Sequence, residues 1–382
     1  MPGDDREVKF TVVAREQRAR AGELLTDHGT VLTPAFMPVG TQGAVKAIGV
    51  RELEELGARI ILGNTYHLYL RPGAEIVAGA GGIQKFTGWK KPILTDSGGY
   101  QIFSLADLRK ITEEGARFRS HLDGSEHLFT PESVMEIQRK LGSDIMMVLD
   151  ECPPFPCEFE YAKTSHELTV RWARRCKEYL ERSKPVHSWT QAVFGIIQGA
   201  TYPELREQSA AALTELDFDG YALGGLAVGE TAETMYSILE ATEKFLPETK
   251  PRYLMGVGTP ENLLESVERG MDMFDCVMPT RNARNAMLFT RDGPLNIRNT
   301  AFREDGGPVD AECQCYTCRT HSRAYVRHLV QSKEVLALQL ATIHNLAFYH
   351  WLMDGARKAI VEQRFKNWKH SVIARMRREK QG

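Results

Sequence analysis

The sequence predicts an α/β fold, a (β/α)8 TIM barrel with an N-terminal β element and a C-terminal zinc-binding subdomain, and three observations predict it. Eight short apolar runs recur along the chain, each ending in a polar or glycine-containing tip. Helical patterns fill most of the gaps between them, and three cysteines crowd into six residues near the C-terminus. Eight strands alternating with helices is the arithmetic of a closed parallel barrel.

In chain order, Val8-Lys-Phe-Thr-Val-Val-Ala and Gly29-Thr-Val-Leu-Thr-Pro34 read as a small β element, within a segment 1–34, that covers the N-terminal face of the barrel. The strand candidates follow: Phe36–Thr41, Ile60–His67, Ile93–Tyr100, Ile145–Glu151, Val193–Gly199, Tyr221–Gly229, Tyr253–Gly258 and Met273–Pro279. Helices are expected over Pro131–Leu141, Thr164–Leu180, Tyr202–Leu216, Thr231–Phe245 and Pro260–Gly270. The expected division is 35–285 for the main part of the barrel, 286–347 for the zinc-binding subdomain and 348–382 for a helical segment completing the barrel. An open doubly wound sheet shows the same alternation. Its ligand site, however, lies at one switch point, whereas here polar tips recur at successive strand ends and no Gly-rich phosphate motif opens the first helix.

At 382 residues and 42% hydrophobic content the chain can bury one large core. No stretch of about 18 apolar residues occurs, and the first thirty residues lack a secretory pattern, so a cytoplasmic protein with no membrane contact is expected. The net charge of −2 hides an asymmetry: residues 1–275 carry 30 Lys and Arg against 41 Asp and Glu, and residues 276–382 carry 18 against 9. A basic C-terminal third fits a polyanionic partner, although residues 364–382 alone read equally well as a solvated tail.

Cys313-Gln-Cys315-Tyr-Thr-Cys318 and the downstream His344 supply four S and N donors, the number a tetrahedral zinc site takes. Buried free thiols are the alternative, but this stretch is polar and turn-like and has no core for thiols to fill. Four protein ligands close the coordination sphere, so one structural Zn2+ ion per chain is expected and not a catalytic one. His67, His121, His321 and His328 fit hydrogen-bonded scaffold or surface groups better than ligands.

Three carboxylates sit at strand tips: Asp96 before Ser-Gly-Gly, Asp150 after a fully apolar strand, and Asp275 among apolar neighbours. A lone buried Asp is ordinarily a structural acceptor. Three on separate strand ends of one barrel share a face, and two carboxylates across an anomeric carbon are the minimum kit for glycosyl chemistry. That kit suits a glycosidase and a glycosyltransferase alike.

Met37-Pro-Val-Gly-Thr41, Gly63-Asn-Thr-Tyr-His-Leu68, Leu94-Thr-Asp-Ser-Gly-Gly-Tyr-Gln101, Ser120-His-Leu-Asp-Gly124, Gly220-Tyr-Ala-Leu-Gly-Gly-Leu-Ala-Val-Gly-Glu230, Tyr253-Leu-Met-Gly-Val-Gly258, Phe274-Asp-Cys-Val-Met-Pro-Thr-Arg281 and the Cys/His set together resemble bacterial tRNA-guanine transglycosylase, from about residue 10 to residue 365. The resemblance implies exchange of the wobble guanine of U-G-U anticodons, in the tRNAs for aspartate, asparagine, histidine and tyrosine, for 7-aminomethyl-7-deazaguanine on the route to queuosine. It implies a covalent intermediate with Asp275 as nucleophile and Asp96 as general acid/base. Asp150, Gln198, Gly225 and Leu226 would read the base, Tyr100 and Met255 would sandwich it, and Ser97, Cys152 and Val228 would line its pocket. Cys152 and Val228 stand where queuine-using eukaryotic relatives have Val and the smaller Gly, which implies a small substituent on the incoming base. Arg281, Arg284 and Lys46 would hold the tRNA anticodon loop, and Cys313, Cys315, Cys318 and His344 the zinc.

Two departures from the family pattern stand out. Ala286 occupies a position that is usually glycine, so a differently built RNA-binding loop is expected if that glycine needs a positive φ. His321 replaces a tryptophan of a helix that contributes to the family's homodimer. The rival readings are a hydrolytic barrel glycosidase, against which the basic C-terminal third and the cysteine module count, and a non-catalytic tRNA-binding subunit, against which both retained aspartates count.

Overall fold

The computed structural model describes residues 8–105 and 109–377. Its central sheet orders the strands as Ala35–Met37, Met273–Asp275, Arg252–Leu254, Gly220–Leu223, Ala192–Ile197, Ile145–Met147, Ile93–Thr95, Ile61–Gly63 and Val39–Gly40, with every pairing parallel. The two terminal segments are consecutive in the chain, separated by Pro38 alone. Proline cannot donate to a ladder, so it splits the first strand, and the sheet closes on itself as an eight-position barrel.

The helices fall where the apolar periodicity placed them: Pro131–Leu141, Phe159–Arg182, Pro203–Glu215, Ala232–Glu243 and Pro260–Glu268. Three start on a proline in the first turn, and Thr130, Thr231 and Thr259 cap theirs by accepting the N–H three residues on. The eighth helix of the ring is Val335–Val361. Its first half packs into the core around Cys315 and Cys318, and its second half, from Leu346, into the barrel core. It therefore runs straight across residue 347, where the zinc-binding subdomain was expected to end.

Residues 8–34 form the antiparallel strands Lys9–Glu16, Ala19–Thr26 and Gly29–Thr33, which close the N-terminal end of the barrel. Residues 1–7 of the expected element lie outside the described residues. Arg20, fully buried, donates to the carboxylate of Asp272 and to the carbonyls of Glu248 and Lys250. His28 meets Asp144 at 2.7 Å. Asp144 and Asp272 each directly precede a barrel strand, so this end is committed to structure and the opposite end is left for chemistry.

A second antiparallel sheet, Arg109–Ile111, Ala116–Arg119 and Glu126–Phe129, lies between the strand Ile93–Thr95 and the helix Pro131–Leu141. The sequence reading missed it. The alternating burial of Ala116-Arg-Phe-Arg119 and the Asp123-Gly124 turn were its signals.

Candidate functional site

Six of the eight barrel strands carry one of the expected site residues at or just beyond their C-terminal ends, Asp96, Asp150, Gln198, Gly225, Met255 and Asp275, and a seventh carries Asn64. A parallel barrel points all these ends the same way, so the residues converge on one face.

Asp96 is buried and fully engaged. Oδ1 accepts from the Thr65 N–H at 2.8 Å, and Oδ2 accepts from Asn64 Nδ2 at 2.5 Å and Gln101 Nε2 at 2.8 Å. Burial outweighs these three donors and, with the nearby negative charge of Asp275, pushes its carboxyl up to about 6. Asp275 is held differently. The Tyr253 phenol at 2.5 Å and the Gly256 N–H at 2.8 Å both donate to Oδ1, and no hydrogen bond among the described residues reaches Oδ2. Burial raises its pKa as well, against those two donors. The arrangement is thus a pair of desolvated aspartates, one locked at both oxygens and one presenting a free oxygen.

Asp150 lies deeper. Ser97 Oγ donates to Oδ1 at 2.8 Å and Gln198 Nε2 to Oδ2 at 2.7 Å, while burial raises its pKa. A Cβ on Gly99 would sit 2.6 Å from the Asp150 carbonyl oxygen, so only glycine lets these two strand ends approach. Gly225 is constrained in the same way: its φ is 67° and a Cβ there would meet Gln198 Oε1 at 2.4 Å. Oε1 of Gln198 is buried and has no partner among the described residues. Cys152 is buried near Asp150, and burial pushes its thiol up to about 12, so it stays neutral. Leu226 is buried too, and Glu230 holds the loop by accepting from the N–H groups of Ala227 and Val228. Tyr100 is 52% exposed and Met255 half-buried. Tyr100 follows the strand end that carries Asp96, and Met255 the strand that carries Tyr253, the donor to Asp275.

Arg281 and Arg284 lie exposed on the helix Met278–Arg284, directly after Asp275. Lys46 is exposed too, and its charge reaches His67. Ala286 itself adopts a φ of 64° and is buried, so the alanine takes the left-handed conformation. His121 accepts from or donates to the Tyr66 hydroxyl at 2.9 Å, a scaffold contact.

Cys313, Cys315, Cys318 and His344 come together with their ligand atoms all within 4.8 Å of one another. Nδ1 of His344 lies 3.8 Å from Cys315 Sγ and 3.2 Å from Cys318 Sγ. These values bracket the edge of about 3.5 Å that Zn–S and Zn–N bonds subtend in a tetrahedron. Nε2 of His344 faces the Phe289 carbonyl at 2.7 Å, which holds the proton on Nε2 and leaves the Nδ1 lone pair for a metal. The donor set fits a metal ion.

The residues that hold the aspartates, namely Asn64, Thr65, Gln101, Tyr253 and Gly256, were given no role by the sequence reading. For Asn64, Thr65, Gln101 and Gly256 the signal was present, because each lies at a strand tip already singled out, whereas Tyr253 sits inside its strand.

A family model described as queuine tRNA-ribosyltransferase matches residues 15–378. Similar curated proteins carry the same name. One from Caldanaerobacter subterraneus is 55% identical over 370 residues, 96% of this chain and 97% of the relative. One from Desulforamulus reducens is 54% identical over 368 residues, 96% and 98%, and one from Nitratidesulfovibrio vulgaris 56% identical over 365 residues, 96% of each.

Proposed function

Because the chain belongs to the queuine tRNA-ribosyltransferase family of enzymes, we propose that it exchanges the wobble guanine of U-G-U anticodons for 7-aminomethyl-7-deazaguanine through a covalent aspartyl-ribosyl intermediate. The observation that carries this reading is the contrast between Asp96 and Asp275. Oδ2 of Asp275, without a hydrogen-bond partner among the described residues, is the nucleophile that attacks the ribose anomeric carbon. Asp96, with a pKa near neutrality, gives its proton to the leaving guanine and takes one from the incoming base. Two successive inversions, first by Asp275 on the face opposite the leaving guanine and then by the incoming base on the face opposite Asp275, retain the β configuration.

The base lies between Tyr100 and Met255, over a floor of Asp150, Gln198 and Gly225. A carboxylate has about four lone-pair sites, so Asp150 can keep its bonds from Ser97 and Gln198 and still accept from the guanine ring and amine hydrogens. The second amide hydrogen of Gln198 and the Gly225 N–H then serve the base carbonyl. Cys152 and Val228 limit the substituent to a small one. Zinc in the Cys3His cluster supplies folding free energy to the C-terminal module and takes no part in the transfer. His321 stacks on Tyr325 at 5.0 Å beside Tyr316, an exposed aromatic patch that would serve a homodimer. Sedimentation equilibrium of wild type and Tyr325→Ala tests that use, and an unchanged dimer would exclude the patch. No helix of the described residues is long and apolar enough to cross a membrane, in keeping with a tRNA substrate met in the cytoplasm.

The test is to mix purified protein, unmodified tRNA and radiolabelled guanine. Label entering the tRNA supports exchange, whereas guanine release without incorporation means hydrolysis. Competing the label with 7-aminomethyl-7-deazaguanine or with queuine then checks the pocket, and equal competition by both would remove Cys152 and Val228 as selectivity determinants.

A further inference from the structure

The basic character of the C-terminal third is unevenly distributed once its ion pairs are drawn. On the last helix, Phe365–Met376, it is largely consumed. Lys369 is bridged by Glu265 and Glu268, Arg375 by Asp292 and Glu312, and Arg377, just beyond the helix, by Glu261. Residues 378–382 lie outside the described residues. The same pairs, with Arg291–Asp310 and Arg323–Asp305, also neutralise most acids of the cysteine–histidine module, leaving Glu304 and Glu334 without an ion pair among the described residues. Arg281, Arg284, Arg298 and Arg327 form no ion pair among the described residues, and all but Arg327, which is half-buried, are exposed.

These four guanidinium groups follow one another in space. Arg284 Nη1 donates to the Thr280 carbonyl at 3.0 Å. The hairpin Met287–Thr290 with Gly293–Asn296 pairs Met287 with Asn296, and the Ile297 N–H reaches the Ala286 carbonyl. The next residue, Arg298, is thereby returned beside Asn285, whose carbonyl accepts from Arg298 Nη1 at 2.6 Å. Asn299 in turn offers its carbonyl to Arg327 Nε at 2.9 Å. Each of these three arginines spends a single nitrogen on a neutral carbonyl, which fixes the guanidinium without neutralising it. The remaining N–H groups and the full charge stay available to an anion.

We propose that Arg298 and Arg327 extend the phosphate-binding surface of Arg281 and Arg284 from the nucleophile strand onto the cysteine–histidine module, and that the group they grip is the RNA backbone flanking the exchanged nucleotide. This rests on the tRNA reading above. Such contacts position the substrate without reading its sequence, and they release counterions, so they are measured by the salt dependence of binding.

Equilibrium binding of unmodified tRNA to the full-length, zinc-loaded protein is followed across increasing salt. Arg298→Gln and Arg327→Gln are each expected to weaken binding severalfold and to lower the slope of log K against log salt by about 1, and the double variant by about 2. Arg298→Lys keeps the charge and restores the slope. Arg375→Gln, which removes a paired arginine, keeps the wild-type slope. Zinc content and circular dichroism confirm that each variant is folded. Wild-type slope and affinity in both single Gln variants overturn the inference while leaving the functional reading intact. Failure of the wild-type protein to bind tRNA overturns both.

Discussion

Tyr253 donates its phenolic proton to Oδ1 of Asp275 at 2.5 Å, from a fully buried side chain on the neighbouring strand. Together with the Gly256 N–H it fixes the carboxylate plane and directs the other oxygen outward. A hydrogen bond to an ionised group contributes about 1.5–3 kcal/mol. Tyr253→Phe should therefore slow adduct formation by about tenfold or more. Its phenol favours ionised Asp275, so its loss raises the Asp275 pKa and moves the acid limb of the single-turnover pH profile upward. A slower rate with an unmoved acid limb would show that Tyr253 acts on packing alone.

Asp96 gives a second pH signature. Departure of guanine requires Asp96 protonated, and its pKa of about 6 is set first by burial. The rate constant for adduct formation should fall as pH rises past that value. Asn64 donates to the ionised carboxylate, so Asn64→Ala raises the Asp96 pKa further and carries the alkaline limb to higher pH. Single-turnover guanine release across pH, in wild type and variant, is the measurement. An alkaline limb that stays put in Asn64→Ala would assign it to another group.

At the closed end of the barrel, the His28–Asp144 contact makes stability pH-dependent. The hydrogen bond that His28 donates to the Asp144 carboxylate raises the His28 pKa above its ordinary value. A raised histidine contributes its full stabilisation below the unfolded pKa of about 6.5 and loses it as pH climbs through the folded value. The Tm difference between wild type and His28→Gln should be largest near pH 6 and shrink toward pH 8. A difference that is flat across this range would mean that His28 stays neutral throughout.

How far the sequence spoke depended on whether a residue ends a run or fills one. Asp96, Asp150, Gln198 and Asp275 interrupt apolar strands, so their tips were visible as breaks in a pattern, and parallel topology then placed them together. Tyr253 was hidden because a buried tyrosine inside a strand looks like any core aromatic until its hydroxyl partner is known. The Arg298–Asn285 contact was hidden because it depends on hairpin register. The net charge of the C-terminal third was legible, but which arginines remain uncompensated is decided by ion pairs between distant segments, such as Arg375 with Asp292 and Arg377 with Glu261.

Loss of the metal should be a folding event. Cys315 and Cys318 sit in one core with Leu340, Ala341 and Ile343 of the long helix, so the cluster ties the module to the barrel's eighth helix. Cys318→Ala, or chelation of the wild type, should abolish zinc binding, lower the Tm and weaken tRNA binding, because a closed site contributes its binding free energy to the fold. Elemental analysis and thermal melts check this. Unchanged zinc content and melting in the variant would refute a structural metal here.

The account turns on Asp275 as the residue that becomes bonded to the ribose, and a denaturing gel of enzyme, tRNA and a base analogue reads that bond directly. Wild-type protein is expected to give a retarded enzyme–tRNA band, Asp275→Asn none, and Asp96→Asn a band that accumulates slowly, since it keeps the nucleophile and loses the proton donor. A band at the wild-type level from Asp275→Asn would contradict the account and turn attention to Asp150.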